Sequence, residues 1–312
     1  MSALICGSIA YDNIMVFEDS FKNHILPDQI HILNVAFMVP ELRREFGGCA
    51  INIAYNLKLL GQDSLPMATA GKDFAPYSHW LETVGIRQDH IRVIDDVFTA
   101  QAFITTDLDD NQITAFHPGA MNESHLNRVS DAQDVTIGIV SPDGRDGMLE
   151  HAAQFAAAEI PFIFDPGQGL QMFGGEELRQ FVEQAAWVTV NDYEWQVLKD
   201  RTGWDVGDLK QRVKGLIVTR AAEGSVIYTP EMDFDIPAAE PVVVSDPTGC
   251  GDAYRAGLLF GFMADYDWPT VGRIASLMGA IKIECHGTQN HRFTREEFQE
   301  RFEASFGEPL TE

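Results

Sequence analysis

Basic residues and long apolar runs are both scarce in this sequence. Its 312 residues include 22 lysines and arginines against 47 aspartates and glutamates, which gives a formal net charge of −25. A field of that sign repels nucleic acids and anionic membrane surfaces, so the charge balance predicts neither as a partner. The longest clear apolar run, at residues 256–264, is much shorter than the ~18 residues that a membrane-spanning helix needs.

Cysteine is equally rare. The four cysteines are far apart and form no C-x-x-C pair, which argues against a disulfide scaffold or a zinc site: Cys6, Cys49, Cys250 and Cys285. The first residues, MSALICGSIAYD, lack the basic region of a signal peptide and are typical of a buried strand. These features predict a protein of the reducing cytoplasm.

Short β-rich runs alternate with helical runs through most of the chain. This alternation predicts the α/β class, with a mainly parallel sheet flanked by helices. The predicted strands are Ala3–Ile9, Val135–Val140, Phe162–Phe164, Val188–Val190, Leu216–Thr219, Ser225–Tyr228, Phe234–Ile236 and Val242–Val244. The predicted helices are Cys49–Leu60, Gly144–Ala158, Glu176–Ala185, Tyr193–Arg201, Asp252–Ala264, Thr270–Ile283 and Arg295–Phe302.

Two segments interrupt the alternation, at about 12–46 and 97–118. The second contains Phe98–Thr106 and Gln112–Phe116, which read as a hairpin with alternating polar and apolar residues, and the first contains the extended candidate His31–Val39. We expect the two insertions to combine as a small sheet. Such a sheet is either a lid that excludes water during group transfer or a simple decoration of the core.

The strongest local pattern is D-P-T-G-C-G-D, which runs from Asp246 to Asp252 ahead of a long apolar helix. Gly249, Cys250 and Gly251 expose consecutive backbone N–H groups at the start of that helix, where the macrodipole favours negative charge. We expect this anion cradle to stabilise charge on a transferring phosphoryl group, with Asp252 beside it to receive a hydroxyl proton. The simpler alternative makes Asp252 only a helix N-cap.

This pattern resembles D-x-T-G-A-G-D of the ribokinase-like (PfkB) carbohydrate and nucleoside kinases, with Cys250 in place of the alanine. A second match is similar to the family's G-G-x-x-x-N-x-A and contains Gly47, Gly48 and Asn52. The resemblance implies a ribokinase-like three-layer α/β/α sandwich over residues 1–312, with a small β-sheet lid. It also implies ATP as co-substrate and Mg²⁺ as cofactor.

The resemblance assigns the sugar-binding role to residues near the first strand. Asp12 resembles the family aspartate that accepts two vicinal hydroxyls, and Gly47, Gly48 and Asn52 lie at the neighbouring helix entry. A carboxylate with two oxygens suits a cis-diol, and an amide both donates and accepts. Read without the resemblance, Asp12 is a turn residue and the two glycines are a flexible helix entry.

On the nucleotide side, Asn191 and Glu194 are similar to the family's N-x-x-E, which orders Mg²⁺ through water. Thr219 and Gly224 match part of T-x-G-x-x-G, although Ala221 replaces its first glycine. The resemblance places the adenine pocket near Gly287 and, in the same region, a monovalent cation such as K⁺. The candidate ligands of that cation are Asp246 and Thr248.

The order of these motifs looks most like the bacterial adenosine or nucleoside kinase branch of the family. Phe103 and Phe116 on the hairpin offer aromatic faces on which a purine could stack, although lid packing or a dimer contact would also explain them. The resemblance therefore implies ATP-dependent phosphorylation of a ribonucleoside 5′-hydroxyl, with adenosine giving AMP and ADP.

Two other functions remain open from the sequence. One is a ribokinase- or fructokinase-like sugar kinase, and the other is a catalytically silent nucleotide-binding regulatory protein. The complete D-P-T-G-C-G-D pattern argues against a silent protein, because a binding module has no need of Asp252. At a helix N-terminus Asp252 is expected to be a weak ground-state base. Exposed lid strands would also allow a homodimer through the lid.

Overall fold

A nine-stranded sheet forms the centre of the protein. The computed structural model describes residues 2–25, 34–109 and 111–311. The strands of this sheet are β1 (Ser2–Cys6), β4 (Ser64–Gly71), β5 (His90–Ile94), β8 (Val135–Val140), β9 (Phe162–Phe164), β10 (Trp187–Asn191), β11 (Gly215–Thr219), β12 (Ser225–Tyr228) and β13 (Asp233–Ile236). Their spatial order is β13-β12-β11-β10-β9-β8-β1-β4-β5.

Most neighbours in this sheet are parallel, and only β11–β12 and β12–β13 are antiparallel. Helices cover both faces and bury two apolar clusters, which makes the three-layer α/β/α sandwich that we predicted. The helices are α1 (Cys49–Leu59), α2 (Ala75–Val84), α3 (Arg145–Ala157), α4 (Gly175–Gln184), α5 (Asp192–Thr202), α6 (Val206–Lys210), α7 (Cys250–Met263), α8 (Trp268–Ile283) and α9 (Arg295–Phe306).

A separate four-stranded sheet is built from the two predicted insertions. Its strands are β2 (Ala10–Val16), β3 (Glu41–Gly47), β6 (Ala100–Thr106) and β7 (Gln112–His117), in the order β3-β2-β6-β7. The pairing of β6 with β7 confirms the hairpin. We call this sheet the lid sheet. Its edge strand β7 is exposed along its whole length.

The first insertion does not form its strand at the predicted residues 31–39. Residues 31–33 lie outside the described residues, and residues 34–39 belong to no strand. The strand is Glu41–Gly47, which pairs antiparallel with β2 along its full length. That segment alternates poorly because five of its residues, ELRRE, are polar or exposed, and the pairing with β2 overrides its weak pattern.

The predicted strand Val242–Val244 is also wrong. These three valines are exposed and lie in a loop. The loop is held by the end of α8 instead of by a neighbouring strand: the Val242 N–H donates to Glu284, and the N–H groups of Ser245 and Asp246 both donate to the Ile283 carbonyl. The N–H groups of this loop thus bond to acceptors at the end of α8, and not to the carbonyls of a neighbouring strand.

Among the elements that the sequence pattern did not predict are β2, β4, β5, α2 and α6. β4 is fully buried but rich in small residues and contains Pro66, so it lacks the branched apolar run that marks a core strand. Within the described part of the chain, no helix is long and apolar enough to cross a membrane. The carboxyl ends of the parallel strands share one edge of the sheet, and the candidate site lies there.

Candidate active site

The glycine-rich turn forms the N-terminus of α7. Gly249 is the N-cap of this helix and has φ +80°, a left-handed conformation that favours glycine. Cys250 and Gly251 follow as the first helical residues. The Cys250 N–H donates to the Pro247 carbonyl at 3.2 Å, which closes the turn, so the amides on either side of it, those of Gly249 and Gly251, are the ones we assign to the anion cradle. Asp252 is therefore not the N-cap. Its carboxylate is free to serve a different purpose.

The Asp252 carboxylate is held by the opposite helix, α1. The Asn52 side-chain amide donates to Asp252 Oδ2 at 2.8 Å, and Gln289 Nε2 donates to Asn52 Oδ1 at 2.9 Å. Because Asn52 accepts from Gln289 with its oxygen, its nitrogen must face Asp252. Trp80 and Tyr77 hold Gln289 in turn, at 2.8 and 2.7 Å.

Burial gives this carboxylate an unusual affinity for protons. Desolvation raises the pKa of Asp252 to about 6, and the nearby Asp165 adds to the shift, whereas Asn52 and Arg255 oppose it. The pKa of Asp252 is thus higher than we expected for a carboxylate at a helix N-terminus, because desolvation exceeds the opposing effects of Asn52 and Arg255. At neutral pH Asp252 is still mostly ionised and is a better proton acceptor than an exposed aspartate.

Arg255 and Asp165 form a buried ion pair beneath Asp252. Arg255 Nη2 and Asp165 Oδ1 are 3.0 Å apart, and both side chains are less than one-tenth exposed. Ser141 donates to the second carboxylate oxygen of Asp165 at 3.1 Å. This pair joins the first turns of α7 to the carboxyl end of β9, so the cradle has a fixed position relative to the sheet.

The lid sheet places Asp12 above the start of α1. Burial, together with the carboxylates of Asp246 and Glu45, raises the pKa of Asp12 to about 6. The two glycines allow close backbone approaches: a Cβ at Gly47 would lie 2.5 Å from Asp12 Oδ2, and one at Gly48 would lie 2.5 Å from the Ser8 carbonyl. Steric contacts therefore favour glycine at both positions, whatever their predicted role in binding the sugar.

The two predicted aromatic residues lie on opposite faces of the lid sheet. Phe116 pairs with Ala102, which pairs with Asp12, so these three side chains form one row across the sheet. Phe103 pairs with Ala115 and Asn13 and faces the other way. One base cannot stack on both rings in this arrangement. Only Phe116 shares the face of Asp12.

Asn191 and Glu194 form a helix-capping box at the start of α5. The Glu194 N–H donates to Asn191 Oδ1 at 2.7 Å, and the Asn191 N–H donates to Glu194 Oε2 at 2.8 Å. The second oxygen of Glu194 is not part of this box, and burial raises the pKa of this side chain despite the nearby Arg255. The donor set therefore fits Mg²⁺ that keeps several waters and binds mainly to phosphate.

The turn after β11 contains the other predicted nucleotide residues. Gly224 has φ +83°, and a Cβ there would lie 2.1 Å from the Ile236 carbonyl, so the position requires glycine. Ala221, which replaces the family glycine, also has a positive φ of 48°. Thr219 lies at the carboxyl end of β11, with its hydroxyl 3.5 Å from the Val190 carbonyl.

The predicted cation ligands are already engaged within the protein. The Asp246 carboxylate accepts the N–H groups of Thr248 and Gly287, each at 2.9 Å. Its backbone carbonyl accepts from the ammonium of Lys282 at 2.8 Å. An ammonium that already binds this oxygen leaves little reason for K⁺ there, so these residues do not fit a monovalent cation.

Several site residues were not predicted from the sequence. Gln289, Tyr77 and Lys282 belong to no motif and reach the site only through the fold. Arg255 had a detectable signal, because an arginine inside the apolar helix A-Y-R-A-G-L-L-F must find a buried partner. Its partner Asp165 directly follows the buried strand β9, where polar residues of parallel sheets form sites.

The open sheet, the lid sheet, the anion cradle and the buried carboxylate together are typical of a small-molecule phosphotransferase. The chain belongs to the PfkB family of carbohydrate kinases, whose family model matches residues 13–294. This finding confirms the resemblance and the fold class.

Its relatives include nucleoside kinases. The chain is 50% identical to a nucleoside kinase of Burkholderia thailandensis solved in complex with inosine, with a TM-score of 0.90 and 99% of each chain covered. The same relative solved with ADP-inosine is 52% identical, with a TM-score of 0.88. The nucleoside kinase of Methanocaldococcus jannaschii is 31% identical over 272 residues, which cover 86% of this chain and 89% of that protein.

Replacing Asp252 by asparagine is expected to remove the proton acceptor while keeping the shape of the site. We expect kcat to fall by roughly 10²–10⁴, the effect of a lost general base, with KM little changed. Steady-state kinetics with ATP and the best nucleoside measure both constants. Asp267→Asn is the control, because Asp267 caps the start of α8 away from the cradle. A variant that keeps half of the wild-type kcat would exclude Asp252 from proton transfer.

Proposed function

We propose that this protein is an ATP-dependent nucleoside kinase that phosphorylates the 5′-hydroxyl of purine ribonucleosides, with adenosine giving AMP and ADP. The observation that carries the proposal is the buried Asp252 carboxylate, fixed by Asn52 beside the glycine-rich N-terminus of α7. The inosine complex of the Burkholderia thailandensis relative supports a purine nucleoside as the substrate class and makes inosine the second substrate to test.

In the reaction we propose, Asp252 accepts the proton of the 5′-hydroxyl as its oxygen attacks the γ-phosphorus of ATP. One O–P bond forms, the bond to the ADP oxygen breaks, and the proton ends on the carboxylate. The backbone N–H groups of Gly249 and Gly251 stabilise the charge on the transferring phosphoryl oxygens, and the Cys250 N–H, which also donates to the Pro247 carbonyl, adds to the positive field of the helix end. A pKa near 6 lets Asp252 accept a proton without being protonated beforehand.

The ribose is proposed to bind between the lid sheet and α1. Asp12 lies among carboxylates that raise its pKa, so the hydrogen-bond donors of a cis-diol would stabilise its charge. Gly47 and Gly48 let the Asp12 carboxylate and the backbone of Ser8 approach the start of α1 closely, which brings Asp12 near Asn52 for binding of the same sugar. Asn52 has a second amide hydrogen besides the one that it donates to Asp252, and this hydrogen is available to a ribose oxygen.

The base is proposed to lie along the row Asp12–Ala102–Phe116 of the lid sheet. Adjacent strands are about 4.8 Å apart, so Phe116 lies two strands, about 10 Å, from Asp12. That separation suits a nucleoside whose ribose contacts the aspartate and whose base reaches the ring. Ala102 is small and leaves the space between them open.

ATP is proposed to bind along the carboxyl ends of β10 and β11, near Thr219, Gly224 and Gly287. Glu194 and Asn191 would hold Mg²⁺ there, mostly through water, and the ion would supply charge neutralisation on the phosphates. The capping box fixes the Glu194 side chain in position for this role. Asp165 and Arg255 stay paired and stabilise the cradle.

Glu194→Gln tests the magnesium proposal. Glutamine keeps the capping hydrogen bond but loses the charge, so the Mg²⁺ concentration for half-maximal activity should rise roughly 10-fold or more, with nucleoside KM nearly unchanged. A Mg²⁺ titration at fixed ATP measures this. Glu297→Gln is the matched control, since Glu297 caps α9 in the same way. An unchanged titration for Glu194→Gln would contradict the Mg²⁺ role and leave Asn191 and Glu194 with only their helix-capping function.

Phe116→Ala tests the position of the base. Loss of a stacking contact of about 1–3 kcal/mol should lower kcat/KM for adenosine and inosine by roughly 5–150-fold and leave kcat/KM for ribose unchanged. Phe103→Ala is the matched control, because Phe103 is similarly exposed on the same two strands but faces away. The measurement is kcat/KM for each substrate at equal ATP.

The same substrate panel distinguishes the sugar-kinase alternative. The wild-type protein should prefer adenosine over ribose or fructose by at least ~10²-fold, because free sugars lack the base that helps to close the lid. Equal losses in the two phenylalanine variants would contradict the base position. Ribose or fructose turned over as well as adenosine would contradict the nucleoside assignment and leave the kinase assignment in place.

A further inference from the structure

Lys282 is a fully buried lysine in the last turn of α8. Its ammonium donates to two backbone carbonyls, that of Asp246 at 2.8 Å and that of Cys285 at 3.0 Å. Burial lowers the pKa of this group, and the negative charge of nearby Asp246 and Asp252 opposes the shift. Burying an ammonium group costs free energy, and its hydrogen bonds to the two carbonyls offset part of that cost. A charge kept at the edge of the candidate active site at such a cost indicates a role there.

The two carbonyls belong to two different loops. One loop, residues 245–249, leads into the anion cradle, and the other, residues 284–290, follows α8. The loops are also joined by the Asp246 carboxylate, which accepts the Gly287 N–H at 2.9 Å. The Ser245 N–H fixes the first loop to the end of α8 by donating to the Ile283 carbonyl. The ammonium of Lys282 is thus a positive charge at the centre of this junction.

These loops are the ones to which the family resemblance assigns a monovalent cation. A cation such as K⁺ would be held by carbonyl and carboxylate oxygens, and an ammonium group is similar in size and binds the same oxygens. Here the Asp246 carbonyl is bound to Lys282, and both oxygens of the Asp246 carboxylate accept backbone N–H groups. The Asp246 charge is therefore opposed by the Lys282 ammonium, and each of its carboxylate oxygens already has a backbone N–H donor.

We propose that the Lys282 ammonium takes the place of the monovalent cation and holds the cradle loop against the loop after α8. Phosphoryl transfer by this chain, which rests on the proposed function, therefore needs no K⁺. Lys282 acts through the backbone of Asp246 and touches neither substrate, so it is a positioning residue. It sets the position of the turn that begins at Gly249.

The first test is the salt dependence of the wild-type protein. Melting temperature, ADP affinity and kcat/KM for ATP are compared in KCl, NaCl and tetramethylammonium chloride at equal ionic strength. All three should be the same in the three salts. A several-fold gain in ADP affinity or in kcat/KM with KCl alone would overturn the proposal. ADP binding, measured by calorimetry, does not need nucleoside turnover, so it separates a failure here from a failure of the proposed function.

The second test removes the ammonium. Lys282→Ala should weaken ADP binding and lower kcat/KM for ATP by roughly 10-fold or more, the scale for residues that position a site. K⁺, NH₄⁺ or ethylammonium should restore much of both, because the vacated oxygens again have a cation. Lys58→Ala is the matched control: Lys58 lies in the last turn of α1, is exposed and pairs with Asp63. It should behave as wild type in every salt.

The outcomes of the second test are distinct. Rescue of ADP affinity and kcat/KM by small cations supports the proposal. A loss of both that no cation restores would show that Lys282 acts only through packing, and it would overturn the proposal. If Lys282→Ala does not fold, Lys282→Met keeps the volume of the buried stem and removes only the charge. If neither variant folds, K⁺ independence of ADP binding in the wild-type protein supports the proposal, and K⁺ dependence overturns it.

Discussion

The hydrogen bond between Asn52 and Asp252 joins two helix starts that are 200 residues apart in the sequence. Asn52 comes from α1, which directly follows the glycine pair at the end of β3, and Asp252 comes from α7, whose start forms the anion cradle. Because Gln289 fixes the amide of Asn52, the orientation of the carboxylate depends on a third segment after α8. The sugar side and the phosphate side of the site therefore have a fixed relation to each other.

Desolvation is the main electrostatic effect at this junction. It raises the pKa values of Asp252 and Asp12 to about 6 and lowers the pKa of the buried Lys282. The buried charge of Arg255 is matched by Asp165, and that of Lys282 is matched by the backbone carbonyls of Asp246 and Cys285. The negative surface does not prevent phosphate binding, because local amides and buried cations determine the field there.

The parts of the fold that depend on local pattern were predictable. The strands Val135–Val140, Phe162–Phe164 and Ser225–Tyr228 have the predicted bounds, because short apolar runs between turn residues leave little ambiguity. The strand predicted at Val242–Val244 does not form, because this segment hydrogen-bonds to the end of α8 and not to a neighbouring strand. The motif residues were found from their order along the chain, but the opposite faces of Phe103 and Phe116 follow from strand register, and Lys282 is brought to the cradle only by helix packing.

The acid side of the pH profile tests the central claim most directly. Wild-type kcat should rise with pH through about 6 as Asp252 loses its proton, because the ionised form is the proton acceptor. Asn52→Leu removes a hydrogen bond that stabilises the carboxylate, so the midpoint should move to higher pH, whereas Asp12→Asn should leave it in place. The titration of ATP itself is the same in all three proteins. A midpoint that does not move in Asn52→Leu would contradict the account.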